Sequence, residues 1–279
     1  MTKGIVMLAQ NTGEIDYVKQ AYLNALSIIH TNPDTKVSLI TNDLVDKNYK
    51  NIFDKIIDIP WNDSTVNDTW KVSNRWKIYH ASPYDETIVM DTDMIVLQDI
   101  SSWWKILNNY ELYFVKNVKT YRGDCIQNSY YRKAFQLNDL PNTYVGFHYF
   151  KKCDTAMNFY KMLEIVCNNY EAFYFKFISK NTPKFLSIDV AASLVIKILN
   201  IEDQVTNDRI SIPTFTHMKN NVQGWKKIAD TWQDRIDYFV NDEVELIVGN
   251  YIQTGIFHYT EKDFCNDKLI SLYESKREN

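Results

Sequence analysis

The sequence predicts an α/β fold, with a mostly parallel sheet flanked by helices and a more mixed C-terminal part. Three observations carry this. Gly4 to Ala9 is an unbroken apolar run that leads through Gln10-Asn-Thr-Gly13 into a helical periodicity. Short β-branched runs then alternate with helical stretches as far as residue 100. Finally, Thr87-Ile-Val-Met90 is apolar, too short for a helix and preceded by the turn signal Pro83-Tyr-Asp85. It reads as a core strand, and it ends on Asp91-Thr-Asp93.

The elements follow in order. A helix is expected from Glu14 to His30, where Ile15, Val18, Tyr22, Leu26 and Ile29 recur at helical spacing; Asn11 or Thr12 can cap it and Pro33 marks the exit. Val37 to Thr41 and Lys55 to Ile59 read as strands, and Trp70 to Ala81 as the helix that delivers the chain to the strand ending at Asp91. Sheets of this kind bind ligands at the carboxyl ends of their strands, where Asn11 and Asp91 both fall. Ser101 to Asn108 is a short helix capped by Ser101 or Asp99. Leu112 to Lys116 and Tyr144 to Phe150 are strands, and Asp154 to Asn168 and Ser187 to Leu199 helices, the latter capped by Ser187. Two strands, Glu245 to Val248 and Gly255 to Tyr259, precede a polar tail. No domain boundary is visible, so residues 1–279 are expected to form one domain.

Composition narrows the class. A net charge of −4 gives no overall pull towards nucleic acid and leaves only a local basic patch to supply one. Cys125, Cys153, Cys167 and Cys265 are scattered without a C-x-x-C pair, as expected of reduced thiols. No apolar run approaches the ~18–20 residues of a spanning helix, and the N-terminus lacks a signal-peptide layout. A cytoplasmic location is the expectation. Nineteen Tyr, 14 Phe and 7 Trp exceed the needs of the core. They imply either a tyrosine-rich surface or stacking faces for sugars or bases.

Two carboxylates at the exit of a buried strand are costly without a partner. Hard divalent cations are the usual partner, and Mg²⁺ or Mn²⁺ brings phosphate with it. Asp91 and Asp93 therefore read as a metal-bridged nucleotide site, the bland alternative being a pair of turn acids. His258, at the end of an apolar strand, can complete such a site as a neutral imidazole; otherwise it is a packed core histidine. His217, in Thr214-Phe-Thr-His217, is its rival. Arg75 and Lys77 lie two apart on an expected helix, so at most one faces the acids. Trp103, Trp104, Tyr130 and Tyr131 lie close to Arg122, Arg132 and Lys133, mixing aromatic and basic side chains.

The ordered set Arg75-Trp-Lys-Ile-Tyr79, Pro83-Tyr-Asp85, Ile88-Val-Met-Asp-Thr-Asp-Met-Ile-Val-Leu97 and Asp99-Ile100 resembles the signature of glycosyltransferase family 8. Ile5-Val-Met-Leu-Ala-Gln-Asn11 is similar to that family's nucleotide-binding start, and Pro141-Asn-Thr-Tyr-Val-Gly146 to a loose form of its Asn-x-Gly segment. Asp189 stands where an Asp-Gln pair is usual, with Val190 in place of the amide. Phe257-His-Tyr-Thr-Glu-Lys262 is similar to the terminal His…Lys element, with a shorter spacing and without the Gly and Lys-Pro-Trp ending.

The resemblance implies a GT-A fold, with residues 1–100 as nucleotide-binding half and 101–279 as acceptor-side half. It also implies a nucleotide-sugar donor (most often UDP-linked), Mn²⁺ or Mg²⁺, and retention of anomeric configuration. Asp91, Asp93 and His258 would hold the metal, and Lys262 the diphosphate. Ala9, Gln10, Asn11, Thr92 and Arg75 or Lys77 would line the nucleotide, and Asp189 would be catalytic. The compact form resembles small glycosyltransferases of bacteria and of large DNA viruses. The acceptor is then a glycan or a hydroxymethylated base in viral DNA, for which Arg122, Arg132, Lys133, Lys151 and Lys152 could form a basic groove. Two other readings remain: a haloacid-dehalogenase-like phosphohydrolase, which also ends a strand in Asp-x-Asp, and a non-catalytic nucleotide-sugar-binding module.

Overall fold

The structure, a computed structural model, describes residues 1–63, 65, 71–126, 132–208, 213–217, 238–259 and 262–277. Its centre is a six-stranded sheet in the order β3-β2-β1-β4-β7-β6. These are Lys55–Ile57 (β3), Val37–Ile40 (β2), Lys3–Leu8 (β1), Glu86–Met90 (β4), Tyr144–Lys151 (β7) and Leu112–Val115 (β6). β1 pairs in parallel with β2 and β4, and β2 with β3; β7 runs antiparallel to both neighbours. Both faces are covered. Ile5, Met7 and Ala9 enter one core while Val6 and Leu8 enter the other, and on β4 Ile88 and Met90 part from Val89 in the same way. Burial on two sides explains why these strands read as continuous apolar runs, without alternation.

Helix α1 (Tyr17–Thr31) starts three residues later than the sequence predicts. Asp16 takes the cap by accepting from the Lys19 amide, while Asn11 and Thr12 accept from the amides of Val18 and Ile15. The predicted helix from Trp70 shrinks, among the described residues, to a 3₁₀ turn (Arg75–Lys77) and α2 (Ile78–Ala81). The polar tail is a helix, α9 (Asp267–Arg277), docked on α1 through Leu269, Ile270 and Tyr273. Its polarity hid it, because only a narrow apolar stripe is needed to dock on one neighbour. The other helices are α3 (Trp103–Leu107), α4 (Lys133–Leu137), α5 (Asp154–Asn168), α6 (Tyr170–Phe177), α7 (Ile188–Leu199) and α8 (Glu202–Val205).

A second sheet positions the site. Its order is β5-β12-β8, from Met94–Val96 (β5), Ile256–His258 (β12) and Thr216–His217 (β8). A third is built from Tyr238–Val240 (β9), Leu246–Val248 (β10) and Tyr251–Ile252 (β11). Asp91-Thr-Asp93 is the hinge at which the chain passes from the central sheet to the second.

Candidate active site

The strand register assembles the acids and the imidazole. On β12, His258 lies opposite Met94, and the Tyr259 amide donates to the Asp93 carbonyl at 3.1 Å. This sets His258 Nε2 at 3.1 Å from Asp93 Oδ1. Ligand atoms of Asp91, Asp93 and His258 lie within 4.8 Å of one another. The parallel strand β8 brings His217 beside His258, with ring centroids 4.6 Å apart. Among the described residues, the cluster includes His258 and leaves out His217.

Asp91 is held from three directions. Its amide donates to the Gly146 carbonyl on β7, and Asn24 Nδ2 on α1 donates to its own carbonyl at 3.0 Å. Asn24 belongs to a buried polar row on α1. Ser27 Oγ accepts from the Val96 amide and Asn32 Oδ1 from the Ile100 amide, at 2.9 and 2.8 Å. The helix and its C-cap Asn32 thus grip the chain from 91 to 100 by its main-chain groups, satisfying donors and an acceptor that would be costly to bury alone. Gly146 supplies the third constraint. A Cβ there would stand 2.7 Å from Asp91 Oδ2, so only glycine lets the carboxylate lie against β7.

Arg75 Nη1 lies 2.6 Å from Asp91 Oδ1. Both atoms are buried, and each answers the other's charge. Burial works against the guanidinium charge, but the charge of Asp91 and its hydrogen bond, with Asp93 and Asp189 further off, outweigh this and raise its pKa. A set of two carboxylates and one imidazole, with ligand atoms this close together, fits a hard divalent cation such as Mn²⁺ or Mg²⁺.

The other expected residues divide. Asn11 and Gln10 lie at the carboxyl end of β1, but their side chains are occupied. Asn11 caps α1, and Gln10 bonds to Thr65 and Asn74. In that network the Asp63 carboxyl is pulled down to about 2: burial would raise it, but hydrogen bonds from Thr65, Asn74 and Gln10 prevail. Ala9 is fully buried and donates its amide to Ile40, and Thr92 is buried at the hinge. Lys77 is buried and donates to the Asn62 carbonyl at 2.5 Å, so Arg75 is the one of the two that meets the acids. Lys262 opens a 3₁₀ turn, Lys262–Phe264; its side chain, like Tyr130 and Tyr131, lies outside the described residues.

Asp189, in the first turn of α7, accepts from the Val145 amide at 2.8 Å and from Arg132 Nη1 at 2.5 Å. Arg132 corrects the expectation of a basic groove. It is 2% exposed, lies 3.8 Å from the ring centroids of both Phe135 and Tyr144, and donates to Asn142 and the Thr143 carbonyl as well. Trp103 and Trp104 are likewise core residues, and Lys151 and Lys152 donate to main-chain carbonyls of Asn108 and Tyr79.

Sequence reasoning missed His148 entirely. It is fully enclosed on β7, stacked on Phe114, with Nδ1 against the Val145 carbonyl and Nε2 against the Tyr160 hydroxyl. A carbonyl only accepts, so Nδ1 carries the proton and Nε2 accepts from Tyr160. Burial pushes its pKa down to about 4, and the nearby Arg75 charge works in the same direction.

No family model matches the chain, and no curated protein matches it in sequence. Solved structures do match in fold. Galactosyltransferase LgtC, in complex with donor and acceptor sugar analogues, superposes with a TM-score of 0.53 at 14% identity, covering 98% of this chain and 95% of its own. Mouse xyloside xylosyltransferase 1, apo form, gives 0.53 at 9% identity over 94% and 98%. The bifunctional glycosyltransferase WbbM gives 0.52 at 16% identity, covering 98% of this chain and 50% of its own. Likeness at such identities speaks for architecture, and the chain has the fold of the GT-A glycosyltransferases.

Proposed function

We propose that the protein is a metal-dependent, retaining glycosyltransferase that moves a hexosyl or pentosyl group from a UDP-sugar to a glycan hydroxyl. The observation that carries this reading is the Asp91–Asp93–His258 cluster at the carboxyl edge of the parallel sheet, with the Arg75 charge against it. Asp91, Asp93 and His258 would hold Mn²⁺ or Mg²⁺. When bound, the ion supplies positive charge to a diphosphate leaving group that gains negative charge as the glycosidic C–O bond breaks. Arg75 adds a fixed cation on the same side, oriented by burial and costing no reorganisation during transfer. Asp189 acts as a positioning residue on this reading, since both its oxygens are engaged by Val145 and Arg132. Ala9, Gln10, Asn11 and Thr92 shape the nucleotide end through the backbone they fix, and Lys262 is assigned to the diphosphate.

Several features support this choice over its rivals. The GT-A architecture leaves the phosphohydrolase without its own fold. The burial of Arg132 removes one of five contributors to a DNA groove, which favours a glycan acceptor over a hydroxymethylated base. A non-catalytic binding module is the second reading, and one experiment separates the two. UDP-sugars are incubated with the protein in Mn²⁺ and UDP release is followed, for wild type and Asp93→Ala. Slow release that Asp93→Ala reduces about a thousandfold is the expected result. UDP release that is metal-independent, or unchanged in the variant, overturns the assignment; metal-dependent binding without release identifies the module.

A further inference from the structure

We infer that a cavity of about 300 Å³ at the far end of the second sheet binds an anionic sugar unit, which on the transferase reading above belongs to the acceptor glycan. The cavity and the metal cluster share two strands. Ile256 and Thr216 line the cavity, while His258 and His217, further along β12 and β8, stand at the cluster. Two residues of strand separate Ile256 from His258, about 7 Å.

The chemistry of the walls selects the ligand. Lys119 and Arg122 line the cavity, and no carboxylate does so among the described residues, in a chain whose net charge is −4. Lys119 is half-buried as a residue, and its ammonium has no hydrogen-bond or carboxylate partner among the described residues. Two cationic side chains on a lining without a carboxylate among the described residues favour an acceptor-rich anion in the space.

The remaining surface suits a sugar ring. Tyr251, 45% exposed, meets Tyr121 edge-on with centroids 5.7 Å apart, and Arg122 lies over the Tyr121 ring. Such aromatic faces accept the C–H side of a sugar while Thr120 and Thr254 offer hydroxyls to its rim. Gln253 donates to the carbonyls of Tyr121 and Tyr251 at 2.8 and 3.0 Å, so the two walls are tied before any ligand arrives. The volume is at the low end for small-molecule sites, right for one sugar unit and too small for a nucleotide-sugar.

The test is direct binding to the full chain, read by saturation-transfer NMR, with glucuronic acid, glucose 6-phosphate, inorganic phosphate and glucose. Both acidic sugars should bind about tenfold or more tightly than glucose or phosphate alone, and the stronger of the two identifies carboxylate or phosphate as the charge. Lys119→Glu should weaken them by about tenfold or more; Arg122→Glu, at an exposed position, provides the same test if Lys119→Glu melts early. Asp93→Ala should leave this binding unchanged, so failure of the metal reading and failure of the cavity reading show up in different variants. The inference is overturned if neither acidic sugar binds, if glucose or phosphate alone binds equally well, if the charge reversals have no effect, or if Asp93→Ala abolishes binding.

Discussion

Two Arg–Asp pairs meet β7 at adjacent residues, and they are built differently. Arg132 spends all three guanidinium nitrogens on Asp189, Asn142 and Thr143 and lies against two aromatic rings, while Asp189 uses both oxygens. It fastens α7 to β7 and to the start of α4. Arg75 reaches Asp91 at nearly the same distance, and Asp91 also belongs to the group of two acids and an imidazole that could hold a metal ion. The first pair is saturated and holds the fold together. The second is a charge balance that a bound cation can share. Pairs of nearly equal length thus differ in their surroundings, one tied into the fold and the other set beside Asp93 and His258.

The largest effect expected from this contrast is on stability. Arg132→Met leaves Asp189 and the Thr143 carbonyl without their donor, and unfolding titrations should report a loss of about 3–5 kcal/mol. Asp91→Asn should cost less stability, since Asp93 and Asp189 still answer the Arg75 charge, while abolishing Mn²⁺ binding measured calorimetrically. Equal destabilisation by the two would erase the distinction.

A somewhat smaller effect follows from His148, which lies near Arg75 and away from the saturated pair. Its folded pKa is about 4, well below the 6.5 of a free imidazole. The unfolded chain therefore binds the extra proton between these values. The stabilising contribution is complete above pH 6.5 and is lost as pH falls from 6.5 through 4, of order 3 kcal/mol in all. Melting temperatures measured across that range should fall with pH in wild type and change less in His148→Phe.

Gly146→Ala is the mildest. Its Cβ would press on Asp91 Oδ2, and the neighbouring carboxylate must move. Calorimetry should show Mn²⁺ affinity reduced about 10–100-fold, with little change in melting temperature.

Legibility in the sequence followed the kind of information each feature needs. β1, β2 and β4 were readable because burial on both faces leaves an unbroken apolar run, and the acid pair was readable as the break in one. The strand Met94–Val96 was hidden inside the same run, since nothing apolar marks where one sheet hands over to the next. The docking of Asp189 on Arg132 spans 57 positions and leaves no local trace. Choosing between Arg75 and Lys77 needed the 3₁₀ turn that carries both. The grip of α1 on the acid segment was overlooked for a different reason: Asn24, Ser27 and Asn32 interrupt an apolar helix face, and a periodicity count scores them as noise.

The place of His258 on β12 has a consequence for biosynthesis. The acids at 91 and 93 leave the ribosome long before the imidazole that joins them; at ordinary elongation rates the gap is roughly 10–30 s. During that time α1 and the parallel strands can form while the acid pair lacks its imidazole neighbour and the second sheet its central strand. A chain cut short before β12 carries the acid pair on a partly assembled scaffold without the imidazole at 258.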